Sequence, residues 1–133
     1  MFIYAQNNAF RLACKKGNLN VVQWLLSLKN NKTIKIINDF NIEDALDICS
    51  SYGQLEVLKF IVFDKPDIDI SANNEYVFRN ACFHGNLKVA QWLLQVKPTI
   101  DISAFNECAF RWTCENGHLH VAKWLLQIKP TIN

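Results

Sequence analysis

Gly117–His118–Leu119–His120–Val121–Ala122–Lys123–Trp124–Leu125–Leu126 is the stretch whose reading decides the fold, because its pattern occurs three more times. Gly17, Gly53 and Gly85 each open the same run: Leu two residues on, Val four residues on, then Trp or Phe followed by two aliphatic residues. Gly53, Gly85 and Gly117 are spaced by 32 residues. A period of that length predicts a stack of small identical units, each burying its apolar face against the next. A stack offers a long surface and no obvious catalytic pocket, so the pattern points to binding.

One unit shows the logic. Ala109, Phe110, Thr113 and Cys114 recur at helical spacing and predict a short first helix with one small, apolar face. Gly117 then permits the left-handed backbone that ends it. Leu119, Val121, Ala122, Trp124, Leu125 and Leu126 predict a second, more apolar helix, stopped at Lys129–Pro130. Between units, Asp67–Ile68–Asp69–Ile70–Ser71 and Thr99–Ile100–Asp101–Ile102–Ser103 alternate polar and apolar, predicting extended, hairpin-like excursions. Asn41, Asn74 and Asn106 are placed to cap the helices that follow. By this register Trp24, Trp92 and Trp124, with Phe60 at the equivalent place, belong to the core.

Of the 133 residues half are hydrophobic, ample for a core, and the scarcity of Gly and Pro argues against disorder. Nothing at Met1–Phe2–Ile3–Tyr4 reads as a secretory signal, and no apolar run spans a bilayer. Arg11, Lys15, Lys16, Lys29, Lys32 and Lys35 precede the first acid, so the +2 net charge hides a basic beginning and an acidic remainder. Five cysteines raise the question of disulfides or metal. Cys14, Cys82 and Cys114 fall three residues before their glycines, and equivalent positions in packed helices lie about 8–10 Å apart, too far for a disulfide. They read as small buried core residues of a reducing, cytoplasmic compartment. No Cys–x–x–Cys pair exists, and no metal or cofactor is expected.

These features together resemble the ankyrin repeat: a short inner helix, a glycine, an outer helix ending in paired aliphatics, and a finger between units. The His118–Leu119–x–Val121–Ala122–x–x–Leu125–Leu126 stretch carries the closest likeness. The resemblance implies an all-α ankyrin-repeat solenoid of about four helix–turn–helix units with short finger-like connections. It spans residues 1–133, with repeats at roughly 4–34, 40–70, 72–102 and 104–133, read as part of a longer array. The family's Thr-Pro-Leu-His opening is replaced by runs such as Tyr76–Val77–Phe78–Arg79 and Cys108–Ala109–Phe110–Arg111. With this Phe–Arg opening and Trp–Leu–Leu, the chain resembles the ankyrin arrays of amoeba-infecting giant viruses, which implies the host cytoplasm. Arg11, Asp47, Arg79 and Arg111 hold the place of the family's histidine, and a charged ladder with Asp47 between Arg11 and Arg79 is expected.

What the resemblance implies for function is a protein-binding module without catalysis, its partner meeting the concave side formed by fingers and inner helices. Carried over by position, the candidate contacts are Lys15, Lys16, Tyr52, Phe83, His84, Glu115, Asn116 and the finger residue Phe105. Tyr52 and Phe83 are aromatics where the register predicts exposure, and exposed aromatics are favoured anchors. No phosphate-binding glycine loop or metalloprotease pattern is present. Two alternatives stand beside this reading: a spacer segment in a larger repeat protein, and nucleic-acid binding through the basic first repeat, which the acidic remainder opposes. End-to-end self-association is the remaining partner expectation.

Overall fold

The computed structural model describes the backbone of residues 2–28 and 41–130, with the side chains of 9–28 and 41–130. The basic residues Lys29, Lys32 and Lys35 lie outside the described residues. Within them the chain forms four helix pairs: α1 (Phe2–Lys16) with α2 (Leu19–Leu28), α3 (Ile42–Tyr52) with α4 (Leu55–Asp64), α5 (Ala72–Phe83) with α6 (Leu87–Val96), and α7 (Ala104–Glu115) with α8 (Leu119–Ile128). No strand occurs among the described residues. The first helices α1, α3, α5 and α7 pack in sequence on one another, while the second helices approach each other far less closely. The stack therefore bends toward its first helices, which line the inner side.

Each first helix ends as the glycines require. Gly53 sits at φ +70°, ψ 27° and its N–H donates to the Cys49 carbonyl, closing α3. A Cβ there would come within 2.8 Å of the Asn86 side chain, which would have to shift, so the positive φ and the neighbouring unit both favour glycine. That neighbour is part of a ladder. The Asn86 side-chain amide donates to the Ser51 carbonyl at 2.9 Å, and the Gln54 amide one unit earlier donates to the Lys15 carbonyl at 2.8 Å. Each caps helix-end carbonyls that would otherwise lack partners. The buried Thr113 hydroxyl donates to the Ala109 carbonyl of its own helix at 2.7 Å and lies 3.3 Å from the Cys82 carbonyl of the unit before.

The core is one continuous stripe, with Phe10, Leu46 and Phe78 at one repeated position and Val57, Val89 and Val121 at another. Cys14, Cys49, Cys82 and Cys108 are buried and all five cysteines are free. Burial pushes the Cys82 thiol up to about 12, where it is unreactive. Cys114, expected in the core, is exposed. Trp24 also departs from expectation: it is 59% exposed, whereas Trp92 and Trp124 pack against the core. The reason is positional. Trp124 lies on Phe78 of the preceding unit, ring centroids 6.2 Å apart, and Trp24 belongs to the first unit. The chain is helical from Phe2.

The connections are not hairpins but pairs of tight turns. Ile68 N–H donates to Lys65 O and Ala72 N–H to Asp69 O, with the same pairing at Ile100 and Ala104 in the next connection. The alternation of Ile and Asp reflects turns that drop Ile70 and Ile100 into the core and leave Asp69 and Asp101 outside.

Nor do Asn74 and Asn106 act as caps. Asn73, Asn74 and Glu75 all have positive φ (57°, 56° and 64°), as do Phe105, Asn106 and Glu107 (59°, 59° and 58°). Each set is a left-handed turn leading into the right-handed helix. Such a backbone costs roughly 1 kcal/mol or more per residue, least for Asn. The arginine of the Phe–Arg pair offsets it. Arg79 Nε donates to the Asn74 carbonyl at 2.8 Å and its terminal nitrogen to Asn73 at 3.0 Å. Arg111 repeats this with Asn106 at 2.9 Å. The second unit has Ile42 where Asn74 stands in the third, and a β-branched residue does not adopt this backbone. It also has Asp47 in place of the arginine. There the helix starts conventionally, Asn41 Oδ1 accepting from Asp44 N–H at 3.0 Å.

This overturns the expected ladder. Arg11 pairs with Asp44, Arg79 is committed to its own turn, and Asp47 forms no ion pair among the described residues. Burial, then the charge of Glu43, pushes the Asp47 carboxyl up to about 6.

Two outcomes are expected. Arg79→Ala should lower stability by about 2–4 kcal/mol, because two charge-assisted bonds and a ring-stacked cation are lost. The exposed Arg111→Ala should cost about 1 kcal/mol. Urea denaturation of the two variants measures the difference. Since Asp47 holds its proton more tightly when folded, its ionisation removes stability as pH rises from about 4 through about 6. Asp47→Asn should accordingly stabilise by about 1 kcal/mol at pH 7 after discounting for partial solvent contact. Melting curves at both pH values should show the gain vanish near pH 4.

Candidate functional site

The inner side is built from the ends of the first helices and the turns that lead into them. In the first three units the last two residues before the glycine follow a buried one, Cys14, Ser50 or Cys82, which turns them away from the core. Tyr52 is 53% exposed, and Lys15 of the preceding unit lays its ammonium over the Tyr52 ring at 5.0 Å. Such a contact contributes about 0.5–1 kcal/mol at an exposed site and holds the ring's orientation. Among the described residues, neither Lys16 nor Glu115 makes a side-chain hydrogen bond or ion pair, and both are exposed. Asn116 is exposed and donates back to the Trp112 carbonyl at 2.8 Å.

Phe83 is half-buried rather than free. It meets Trp112 of the next unit edge-on at 5.2 Å and its neighbour His84 at 4.8 Å. Burial, with the charge of His118 as second cause, holds His84 below the ordinary histidine value.

Phe105 is 61% exposed on its left-handed turn. Its ring lies 5.2 Å from the Arg79 guanidinium, which also faces Trp112 at 5.4 Å and Tyr76 at 5.6 Å. Arg79 itself is 7% exposed, so this cation is dry and its rings are firmly placed. Phe83, Trp112, Arg79 and Phe105 thus form a connected strip running across the third and fourth units.

The structure brings together Lys15 with Tyr52, Phe83 with His84, and Phe105 with both aromatic neighbours of Arg79. It shows three contributors that position counting missed: Tyr76, Arg79 and Trp112. The periodicity groups Trp112 with the apolar residues of its helix, and Tyr76 falls in the family's opening segment, not at a finger tip. The available signal was composition, since Tyr76, Phe105 and Trp112 all lie within a few residues of a Phe–Arg pair.

Chemically the strip can stack on apolar or planar groups. Its one buried cation already has its donors directed to backbone carbonyls. The basic end is also smaller than its composition suggests, because Arg11 is paired with Asp44 and Lys15 faces a ring. Among the described residues no group of three His, Cys, Asp or Glu side chains is arranged to hold a metal, and no helix is long and apolar enough to cross a membrane.

A second apolar surface lies on the outer helices, a groove of about 520 Å³ between α4 and α6 with Phe60, Phe63, Trp92 and Val96 in its wall.

Comparison with known proteins agrees with the architecture. The family model described as ankyrin repeats (3 copies) matches residues 4–74 and 46–133. No curated protein and no solved structure matches the chain.

Proposed function

The chain belongs to the ankyrin-repeat family, whose members are generally protein–protein interaction modules and typically not catalysts, and we propose that it holds a protein partner on its inner face. The observation that carries this is the aromatic strip. Tyr52 and Phe105 are more than half exposed, and each is pinned by a cation rather than left to move. Aromatic anchors on a rigid support are the residues that dominate binding energy at interfaces, because little side-chain freedom remains to be lost. Phe83, His84 and Trp112 extend the strip, and Lys15 and Lys16 give one end positive charge. Glu115 and Asn116 form the opposite border. The partner best suited to this face presents apolar side chains at its centre and acidic ones toward the first unit.

We further propose that the chain comes from an array like those of the giant viruses it resembles, with a host protein as its partner. What supports that is the Phe–Arg opening and the Trp–Leu–Leu of the second helices. The spacer and nucleic-acid readings gain no observation of comparable weight.

Affinity capture with the wild-type chain, followed by variants, tests the proposal. Tyr52→Ala and Phe105→Ala should each weaken retention of the captured protein about tenfold or more, in line with ~2 kcal/mol for an anchor residue. Phe63→Ala on the outer groove, where Phe63 is 85% exposed, should leave it unchanged. The reverse pattern, loss with Phe63→Ala alone, would move the site to the outer helices.

A further inference from the structure

We propose that the inner face takes a proline-rich segment of its partner, laid in the polyproline II conformation over Tyr76, Phe105 and Trp112, with an acidic end toward Lys15 and Lys16. This rests on the reading of the inner face as the binding site and adds the chemistry of what it binds. The junction of the third and fourth units carries the inference, because three rings there surround one buried cation. Phe105, Trp112 and Tyr76 have their ring centres 5.2, 5.4 and 5.6 Å from the Arg79 guanidinium. Arg79 is 7% exposed, whereas Phe105 is 61% and Tyr76 37% exposed, so the cation lies beneath and the rings meet solvent.

The polar groups of this junction select among partner backbones. Its turn carbonyls are already engaged: Asn73 and Asn74 accept from Arg79, and Phe105 and Asn106 accept from Arg111. The groups left over can donate. Among the described residues the Trp112 indole N–H has no hydrogen-bond partner, and it is not one of the buried unpaired atoms. Among the same residues the Tyr76 hydroxyl also has no partner, on an exposed side chain. A β-strand laid here would bring N–H groups to carbonyls that a guanidinium already holds. An α-helix would bring no free carbonyl, because its own ladder uses them, and would cover the indole N–H and the phenol unpaired. Polyproline II has no internal hydrogen bonds, so its carbonyls are free, and at proline there is no N–H to place. It supplies acceptors without donors, the complement of what the strip offers.

Spacing and charge agree with that occupant. In polyproline II, side chains on one side recur every three residues, about 9 Å apart. No two of the three ring centres are further apart than twice the longest distance to Arg79, so successive prolines on one side reach different rings. Prolines are apolar and already rigid, and they pack on aromatic faces with little freedom left to lose. Charge then sets the direction. Lys15 stands over Tyr52 at 5.0 Å, and Lys16 is exposed without an ion pair among the described residues. The third unit lies two steps of the stack from the first, roughly 20 Å at the usual separation of packed helices. About six residues of polyproline II cover that distance, which brings an acidic residue at the end of the proline run to the lysines. At the place equivalent to Lys15 the fourth unit has the exposed Glu115, which repels the same acid and disfavours the reverse orientation.

A labelled peptide of about ten prolines with two glutamates at one end, titrated with the 133-residue chain, tests the inference. It should bind saturably, with a Kd of about 100 μM or tighter. Proton–nitrogen NMR should show the Trp112 indole signal, assigned by its loss in Trp112→Phe, moving on binding. That variant keeps a ring and removes the donor, and should weaken binding about fivefold, while Phe105→Ala should weaken it about tenfold. Lysines in place of the glutamates should weaken it about fivefold at low salt. A peptide with alanine for every proline, and a helical peptide of equal length, should each bind at least about tenfold more weakly. Equal binding of either control peptide, or an indole signal and affinity untouched by the Trp112 change, would overturn the inference. Failure of every peptide while Tyr52→Ala and Phe105→Ala still release a captured protein would overturn it too, and would leave the inner face as the site. Loss of the peptide with Phe63→Ala alone would overturn both. Circular dichroism establishes that the variants are folded, and Tyr76→Phe, which removes the other donor, takes the place of Trp112→Phe if that one is not.

Discussion

No unit of this molecule encloses its own apolar surface, and everything else depends on that. A pair of ten- to fifteen-residue helices has two flanks and can hide neither. The buried status of Val57, Val89 and Val121 on one flank and of Cys14, Ser50 and Cys82 on the other is conferred by neighbours. Burial here is a property of a junction, with a transfer gain of about 1.5–3 kcal/mol for each fully covered aliphatic side chain. The side-chain amides of Gln54 and Asn86 add direction to that adhesion, because each must find the carbonyls at the end of the preceding helix. Apolar contact holds the units together and the amides set their register.

The same constraint explains what could be read from the residues and what could not. The helix pairs, the glycine turns and the interior of the stack follow from periodicity, since each unit repeats the same solution. Register, however, treats every unit as interior. It therefore assigned Trp24 and Cys114, in the first and fourth units, to the core with their equivalents, whereas both are exposed. The ladder through Asp47 failed for a related reason. Equivalent residues are level along the stack, but Arg79 reaches back five residues to its own turn instead of across to Asp47. The inner-face aromatics were legible in part: Tyr52 and Phe105 by position, Trp112 and Tyr76 only once the path of Arg79 is known.

That path shows how a departure from the family pattern becomes a structural element. Three successive left-handed residues are costly, and the chain accepts them only where an arginine follows five residues after the middle one. The second unit has Ile42 and Asp47 at these two places and begins its helix in the usual way. The first unit has an arginine, but its α1 is continuous and Arg11 pairs with Asp44. Arginine is therefore required by the turn without being sufficient to produce it. The conformational freedom of Asn73, Asn74 and Asn106 is the second condition.

The turn and the inner face are one device. A left-handed backbone at Phe105 projects its ring away from the helix that follows, and Arg111 fixes the carbonyls of that turn. From the preceding unit Arg79 meets the ring from beneath, while its own turn holds Tyr76 beside it. An aromatic ring on a flexible finger loses much of its freedom when a partner arrives, at about 0.5–1.5 kcal/mol per side chain. A ring already seated on a buried guanidinium has lost most of it during folding. Arg79, in the place of the family's histidine, thus does two things with one side chain. It stabilises an otherwise unfavourable backbone, and it holds exposed aromatics in the orientation in which they can be used.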